Sequence, residues 1–187
     1  VDKNTFYPIP KTEKLYDYIF VGSFIHRKGV DIVINTIKTV NDNDISFCFV
    51  GSGPYANELK ELSNSHNVHI FENQTQDELR YLYNASKFFL FPSRDEPFGL
   101  VATEALYCGT PIIVSKVGGL KEQVNERVNG FFATTQDDVE RTILQLKDCD
   151  ELTYKELKNE AIKSNKEFSL EHICSQLHEI YHTLAKQ

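Results

Sequence analysis

The strongest constraint on the fold is a regular alternation of short, wholly apolar segments with longer segments of helical periodicity. Six apolar segments predict strands, at residues 17–21, 45–50, 68–71, 88–91, 111–114 and 131–133. Four amphipathic segments predict the helices between them, at residues 30–40, 56–63, 77–85 and 98–108. Strands that are apolar throughout are typical of a parallel sheet covered on both faces. The pattern therefore predicts an α/β fold, a Rossmann-like doubly wound parallel sheet with helices on both faces.

The two ends of the chain differ from this alternating part. Residues 1–15 hold two prolines among mostly polar neighbours and predict an extended linker, whereas residues 16–187 are predicted to form the domain. Three further helices are predicted after Gln136, at residues 137–147, 151–167 and 170–185. Their apolar positions recur at helical spacing, so we expect them to pack across an edge of the sheet. In the last helix the expected buried stripe consists of Ile173, Leu177, Ile180, Tyr181 and Leu184.

The loops that follow the strands are the predicted place for a ligand, because doubly wound sheets bind ligands beyond the carboxyl ends of their strands. These loops span residues 22–29, 51–55, 72–76, 93–97 and 115–120. Four of the five contain glycine or proline, so residues suited to tight turns collect at one end of the sheet.

The charge and cysteine content exclude several classes of protein. Lys and Arg number 20 against 27 Asp and Glu, and the resulting net charge of −7 disfavours a general basic surface for nucleic acid. No apolar run approaches the roughly 20 residues that a membrane-spanning helix needs. The four cysteines are far apart and form no C-x-x-C pair, so we expect reduced thiols and a cytoplasmic protein.

Two carboxylates, Glu96 and Glu104, lie eight positions apart around a predicted helix start. Pro97 fits the first turn of a helix over residues 98–108. Glu104 then falls inside that helix among apolar neighbours, where an unpaired carboxylate would cost several kcal/mol if buried. Either Arg94 or a lysine supplies its partner, or the carboxylates await the hydroxyl groups of a polyol ligand.

The loop over residues 22–29 follows the first predicted strand and opens a helix, so its amides offer a seat for phosphate. Arg27 and Lys28 add positive charge there. The alternative is an ordinary glycine-rich turn with solvated basic side chains. The glycines of this loop are not spaced as in a dinucleotide fingerprint. Gly51-Ser52-Gly53-Pro54 comes closer, but Ala56 stands where the third glycine of that fingerprint is needed.

His178-Glu179-Ile180-Tyr181-His182 matches the H-E-x-x-H pattern of helical zinc proteases. Only five residues of the sequence follow it, too few for the downstream third ligand of those enzymes. We therefore interpret these residues as the outward flank of the last helix and expect no metal site.

Six short motifs follow one another along the chain. They are Val21-Gly22 with Arg27-Lys28-Gly29, Val50-Gly51-Ser52-Gly53-Pro54, Phe91-Pro92-Ser93, Glu96 to Glu104, Gly109-Thr110-Pro111-Ile112-Ile113 and Gly118-Gly119. Taken in this order they resemble the C-terminal, nucleotide-sugar-binding (donor) domain of a family-4 retaining glycosyltransferase. Those are two-domain enzymes of GT-B architecture, and the resemblance covers most of the chain.

The resemblance implies a role for each carboxylate. Glu96 matches the first glutamate of the family's E-x7-E motif, which holds donor-sugar hydroxyls, and Glu104 matches the second, which accepts hydrogen bonds from the ribose. Lys28 matches the basic residue on the diphosphate, so Glu96 and Lys28 are the implied catalytic residues. The backbone amides implied to face the pyrophosphate belong to Phe98, Gly99 and Leu100.

The remaining implied donor contacts come from two loops. These residues are Gly22, Ser23, Arg27, Asn73 and Gln74. Two positions depart from the family pattern: Ser23 stands where many members have arginine, and Glu72 stands where many have glycine. Arg27 is the candidate to compensate for the first, and the second affects the contacts to the base.

The resemblance further implies a UDP- or GDP-type sugar donor, no metal and no other cofactor. The acceptor is a glycan, a lipid-linked or a small molecule, bound by an N-terminal domain absent from these residues. We expect this chain alone to bind the donor weakly and to transfer nothing, and membrane association only through the full-length protein. The alternatives are a non-catalytic nucleotide-sugar-binding module and a GT-B sugar-nucleotide epimerase.

Overall fold

Six strands form one sheet in the computed structural model, which describes residues 1–164 and 170–184. They are β1 (Tyr16–Val21), β2 (Phe47–Val50), β3 (Val68–Phe71), β4 (Ser86–Phe91), β5 (Ile112–Val114) and β6 (Gly130–Phe132). The strand order is β3-β2-β1-β4-β5-β6, and each neighbouring pair is parallel. The predicted doubly wound parallel sheet is confirmed.

Helices cover both faces of this sheet. They are α1 (Val30–Val40), α2 (Ala56–Leu62), α3 (Gln76–Asn84), α4 (Leu100–Tyr107), α5 (Leu120–Gln123), α6 (Gln136–Lys147), α7 (Glu151–Ser164) and α8 (Leu170–Leu184). Every predicted helix is present among the described residues, whereas the predicted helical residues 165–167 and 185 lie outside them. Helix α4 begins at Leu100 rather than at residue 98. Gly99 is its N-cap in the left-handed conformation (φ 91°), so the expectation that Pro97 occupies the first turn is wrong.

Aromatic side chains hold the central strands in register. Tyr18 of β1 lies opposite Phe47 of β2 and Phe88 of β4. Its ring centroid is 5.4 Å from that of Phe47 and 5.8 Å from that of Phe88, and both pairs are stacked. Because a slip of one residue would turn these rings to the other face, the stack fixes where each strand ends. It thereby fixes the positions of the loops beyond β1, β2 and β4.

The sheet has its topological switch between β1 and β4. From β1 the chain proceeds outward through β2 to β3, and from β4 it proceeds the other way through β5 to β6. In open α/β sheets a crevice forms at such a point, beyond the carboxyl ends of the strands. The loops after β1 and β4 are those that carry Lys28 and Glu96.

Residues 1–15 form neither helix nor strand, yet they lie against the domain. Phe6 is buried in the core, with its ring edge-on to that of Tyr83 at 6.1 Å. The Ile9 amide donates to Oδ1 of Asn84 over 2.7 Å. The segment is not extended throughout, because the Thr5 and Phe6 amides both bond to the carbonyl oxygen of Asp2 and close a turn. Its role as a linker stays a prediction.

The last helix corrects one expectation. The stripe expected to be buried is exposed along α8, with Ile173 at 42% and Tyr181 at 68% relative accessibility. By contrast α6 packs on α1, and α7 packs on α4. In the described residues no helix is both long and apolar enough to cross a bilayer.

Candidate functional site

The loops at the carboxyl end of the sheet fit together without room for side chains. A Cβ atom on Gly29 would lie 2.0 Å from the carbonyl oxygen of Pro92, in the loop after β4. One on Gly118, in the loop after β5, would lie 1.8 Å from the carbonyl oxygen of Glu96. Both glycines have positive φ, 74° and 44°, which other residues adopt only at a cost. The loops after β1, β4 and β5 therefore form one continuous wall.

The two predicted catalytic residues meet in this wall, although 68 positions separate them. Lys28 ends a 3₁₀ turn (His26–Lys28), and its Nζ donates to Oε2 of Glu96 over 2.5 Å. The Lys28 and Glu96 side chains are only 17% and 11% exposed. The ammonium also lies 5.5 Å from the ring centroid of Phe91. Because the two side chains are largely shielded from water, the attraction between their charges is stronger than it would be at an exposed surface.

Arg94 has a structural task and is not the partner of Glu104. Its guanidinium forms two 2.7 Å hydrogen bonds to Asp31 and one of 2.6 Å to the carbonyl oxygen of His26. These bonds fasten the loop after β4 to the 3₁₀ turn that carries Lys28. Arg27, on the same turn, is half-exposed and lies 3.6 Å from Asp95, so its charge is available at the rim of the crevice.

Glu104 lies one turn inside α4, and its partner is neither Arg94 nor a lysine. The Tyr83 hydroxyl donates to its Oε2 over 3.1 Å. Burial raises the pKa of the Glu104 carboxyl above its usual value, and the bond from Tyr83 and the charge of the Val1 ammonium offset only part of that rise. The hydrogen bond that holds this carboxyl comes from a neutral hydroxyl.

The start of α4 is suited to an anion. Its first turn carries no acidic side chain, whereas α3 and α6 begin with capping boxes built on Glu78 and Asp138. The first amides of any α-helix lack an intrahelical acceptor, and the helix dipole is positive at that end. Phe98 and Gly99 directly precede α4, and Leu100 opens it, so the structure places the three predicted amides at this terminus.

The remaining predicted residues extend along the crevice. Gly22 and Ser23 follow β1 directly, whereas Asn73 and Gln74 follow β3, two strands away. That separation is about 10 Å at the usual strand spacing. The structure therefore does not bring Asn73 and Gln74 into contact with the Lys28 pair. It places them on the same sheet edge, where a ligand as long as a nucleotide reaches both.

Two buried polar residues at the site carry no signal in the sequence. Tyr83 ends near the Glu104 carboxyl, and Gln123 of α5 reaches the loop before α4. Each acts on a residue more than 20 positions away, a distance at which helical or strand periodicity gives no information. In the part of the chain that the structure describes, no three His, Cys, Asp or Glu side chains are grouped to hold a metal ion.

The chain belongs to the glycosyltransferase family described as Glycosyl transferases group 1, whose sequence profile matches residues 2–167. It is 33% identical over 172 residues to an uncharacterized glycosyltransferase of Methanocaldococcus jannaschii, which covers 89% of this chain and 48% of that protein. The chain therefore spans about half the length of that curated relative.

Solved structures agree on the fold. Sucrose-phosphate synthase of Thermosynechococcus elongatus superposes on the whole of this chain with a TM-score of 0.83 at 24% identity, and the match covers 51% of the synthase chain. An Anabaena protein solved in complex with UDP-glucose matches 98% of this chain and 56% of its own, with a TM-score of 0.79 at 21% identity. The sheet and its helices form the Rossmann-like half of a GT-B glycosyltransferase.

Proposed function

We propose that this chain is the donor-binding domain of a family-4 retaining glycosyltransferase that uses a nucleotide-diphosphate sugar. The observation that carries the proposal is the Lys28–Glu96 pair, which lies in the crevice at the switch point of the sheet. In this arrangement a cation for phosphate and an anion for sugar hydroxyls are adjacent. The helix start that follows Glu96 has no acidic group of its own and is free to receive an anion.

Donor binding replaces one anion by another at Lys28. The diphosphate replaces the Glu96 carboxylate as the ion-pair partner of Lys28. It also accepts hydrogen bonds from the backbone amides at the start of α4. Glu96 is then released to accept hydrogen bonds from the sugar. As the glycosidic bond breaks, negative charge grows on the departing phosphate. Lys28 and the helix terminus stabilise that charge more in the transition state than in the substrate.

The nucleoside occupies the part of the crevice towards β3. The Glu104 carboxyl accepts hydrogen bonds from the ribose, and the base lies near Asn73 and Gln74. Gln74 is held by a 3.1 Å bond from its Nε2 to the carbonyl oxygen of Glu72, which shapes this loop. Gly22, Ser23 and Arg27 line the path of the diphosphate between these regions.

The donor is of the UDP or GDP type, and no metal is required, since Lys28 and the helix terminus supply the positive charge. The UDP-glucose complex of the Anabaena protein supports a nucleotide-sugar ligand for this fold. The acceptor, a glycan, lipid-linked or small molecule, binds to an N-terminal domain outside these residues. We expect this chain alone to transfer no sugar, and membrane contact to depend on the full-length protein.

A calorimetric titration tests the proposal. The chain is titrated with UDP, GDP, ADP and their sugar conjugates in the presence of a chelator, beside Lys28→Ala and Glu104→Ala. Lys38→Ala is the matched control, because Lys38 pairs with Glu58 at the exposed end of α1. We expect saturable binding of one base that both site variants weaken and the control retains. Absence of binding by the full-length protein as well would contradict the proposal, and binding without transfer would indicate a non-catalytic module.

A further inference from the structure

Gln123, the last residue of α5, is buried behind the loop that precedes α4, with 1% of its surface exposed. Its Nε2 donates to the carbonyl oxygen of Phe98 over 2.6 Å and lies 3.5 Å from that of Gly99. Its Oε1 accepts a 3.0 Å hydrogen bond from the Thr103 hydroxyl. One amide side chain therefore joins the residues just before α4 to the first turn of the same helix.

These carbonyl groups determine where two backbone amides point. The peptide unit is planar and trans, so a C=O and the N–H of the next residue point in opposite directions. The carbonyl of Phe98 shares its plane with the amide of Gly99, and the carbonyl of Gly99 shares its plane with the amide of Leu100. Gln123 draws the Phe98 oxygen to the back of the loop, so the Gly99 N–H faces the opposite side. The Gly99 oxygen is held by α4 itself, since it accepts a 2.9 Å bond from the Ala102 amide, and this fixes the direction of the Leu100 N–H.

The direction matters because this loop includes a glycine that tolerates either orientation. Gly99 has φ 91°, and without a side chain at this position the Phe98–Gly99 peptide can rotate at little cost. A rotated peptide would turn a carbonyl oxygen, with its partial negative charge, towards an anion at the start of α4. The Gln123 amide is the group that selects between the two orientations.

Gln123 is itself held firmly. Its carbonyl oxygen accepts a 2.9 Å bond from Nδ2 of Asn129, and Oδ1 of Asn129 accepts a 2.8 Å bond from the Asn125 amide. The Gly119 amide, at the start of α5, bonds to the carbonyl oxygens of Glu96 and Pro97. The short helix α5 is thus attached to the loop at both ends, which makes the side chain of Gln123 a fixed reference point.

We propose that Gln123 is a positioning residue that aims the Gly99 amide at the diphosphate of the donor, beside the Leu100 amide that α4 itself orients. This inference rests on the proposed function, since it needs a diphosphate at the start of α4. Gln123 touches no ligand and acts through the Phe98–Gly99 peptide plane. It is a role for an amide in particular, because only a side chain with an N–H donor can hold the Phe98 oxygen.

The test compares a ligand that has the diphosphate with one that lacks it. Binding of UDP and uridine, or of GDP and guanosine if that base is preferred, is measured by NMR titration for wild type, Gln123→Met and Gln123→Glu. We expect both variants to lose about tenfold or more in affinity for the nucleotide, as for a charge-assisted hydrogen bond. Nucleoside affinity stays within twofold. A general loss of structure would weaken both ligands alike.

Thr103→Val is the matched control, because it removes the bond on the other side of Gln123 and leaves the Phe98 carbonyl held. We expect it to lower the melting temperature while preserving the ratio of nucleotide to nucleoside affinity. A folded Gln123→Met protein with the wild-type ratio would overturn the inference alone. If wild type and the full-length protein bind neither nucleotide, the proposed function fails instead.

A measurement on the unaltered chain decides the matter should the Gln123 variants not fold. Inorganic pyrophosphate is titrated into labelled wild-type protein, and the amide proton shifts of Gly99 and Leu100 are followed. We expect these two resonances to move downfield with saturation, as for amides that donate to an anion. Shifts confined to Lys28 and its neighbours, with these two amides unmoved, would refute the assignment.

Discussion

The loop that carries Glu96 and the helix that carries Glu104 hold their carboxylates in opposite ways. Glu96 lies against the ammonium of Lys28, whereas Glu104 lies against the neutral hydroxyl of Tyr83. The first carboxylate is stabilised by an opposite charge, and burial raises the pKa of the second. Under the proposed function, a ligand must therefore displace Glu96 from Lys28, whereas Glu104 is held for its ligand at a cost to stability.

The largest effect is expected from breaking the charged pair at its cation. Lys28→Ala removes the ammonium and leaves the Glu96 carboxylate unpaired beside the diphosphate. We expect about a 100-fold loss of affinity for the preferred nucleoside diphosphate, because a charged contact is lost and a repulsion is added. Calorimetry measures it against Lys38→Ala. A loss no larger than that of the control would show that Lys28 does not meet the phosphates.

The opposite sign is expected from the anion of the same pair. Glu96→Gln frees Lys28, so we expect affinity for the bare nucleoside diphosphate to rise about fivefold, the usual scale of one ion pair. Sugar transfer by the full-length protein should fall, because the sugar loses its acceptor. Glu58→Gln is the matched control for the change of charge, as Glu58 pairs with Lys38 on a half-exposed surface outside the site. A decrease in diphosphate affinity would contradict displacement of Glu96 by the ligand.

At Glu104 the comparison predicts a dependence of stability on pH. The unfolded chain loses the proton of this carboxyl near pH 4.5, the ordinary pKa of glutamate. The folded chain keeps the proton to a higher pH, because its pKa is raised. The free energy of unfolding therefore falls as pH rises from about 4.5 through the raised pKa. Glu104→Gln should remove this fall and add roughly 1 kcal/mol of stability at pH 7.

Chemical denaturation of Glu104→Gln at pH 4 and pH 7 measures the effect, with Glu61→Gln as an exposed control. The gain should be present at pH 7 and vanish at pH 4, and it should come with weaker nucleotide binding through the ribose. Equal stability of Glu104→Gln and wild type at both values would show that the carboxyl bears no cost of burial.

The smallest effect is expected from the hydroxyl that holds Glu104. Tyr83→Phe removes its hydrogen bond, so the pKa of Glu104 should rise further and the decline in stability should extend to higher pH. We expect a loss of about 0.5 kcal/mol, the lower end of the range for one such bond. Unfolding curves from pH 4 to 8 measure it, beside Tyr81→Phe on the exposed face of α3. Parallel curves for wild type and Tyr83→Phe would show that Glu104 does not depend on Tyr83.

The architecture could be predicted from the sequence because buried parallel strands are apolar throughout, and each of the six lies within two residues of its predicted position. Helix α4 begins later than predicted because the left-handed Gly99 overrides the preference of Pro97 for a first turn. The exposed stripe of α8 shows that apolar periodicity identifies a helix without saying what covers it.

The site was predictable to the extent that its residues form short motifs. The resemblance implies separate roles in one donor site for Lys28 and Glu96, and their contact with each other is seen only in the structure. Tyr83 and Gln123 could not be found this way, because a buried hydroxyl or amide is recognised by its partner in space. Their partners, Glu104 and Phe98, are 21 and 25 positions away along the chain and are close only in the folded structure.

Under the proposed function, the Lys28–Glu96 pair would also determine which ions the crevice admits. A chloride or acetate ion would gain little by approaching Lys28, because it would have to expel a carboxylate already attached to the protein and equal in charge. A diphosphate would bring more charge and reach the amides of α4 as well, so it would win the exchange. The pair would then select against abundant monovalent anions while leaving the site open to the ligand.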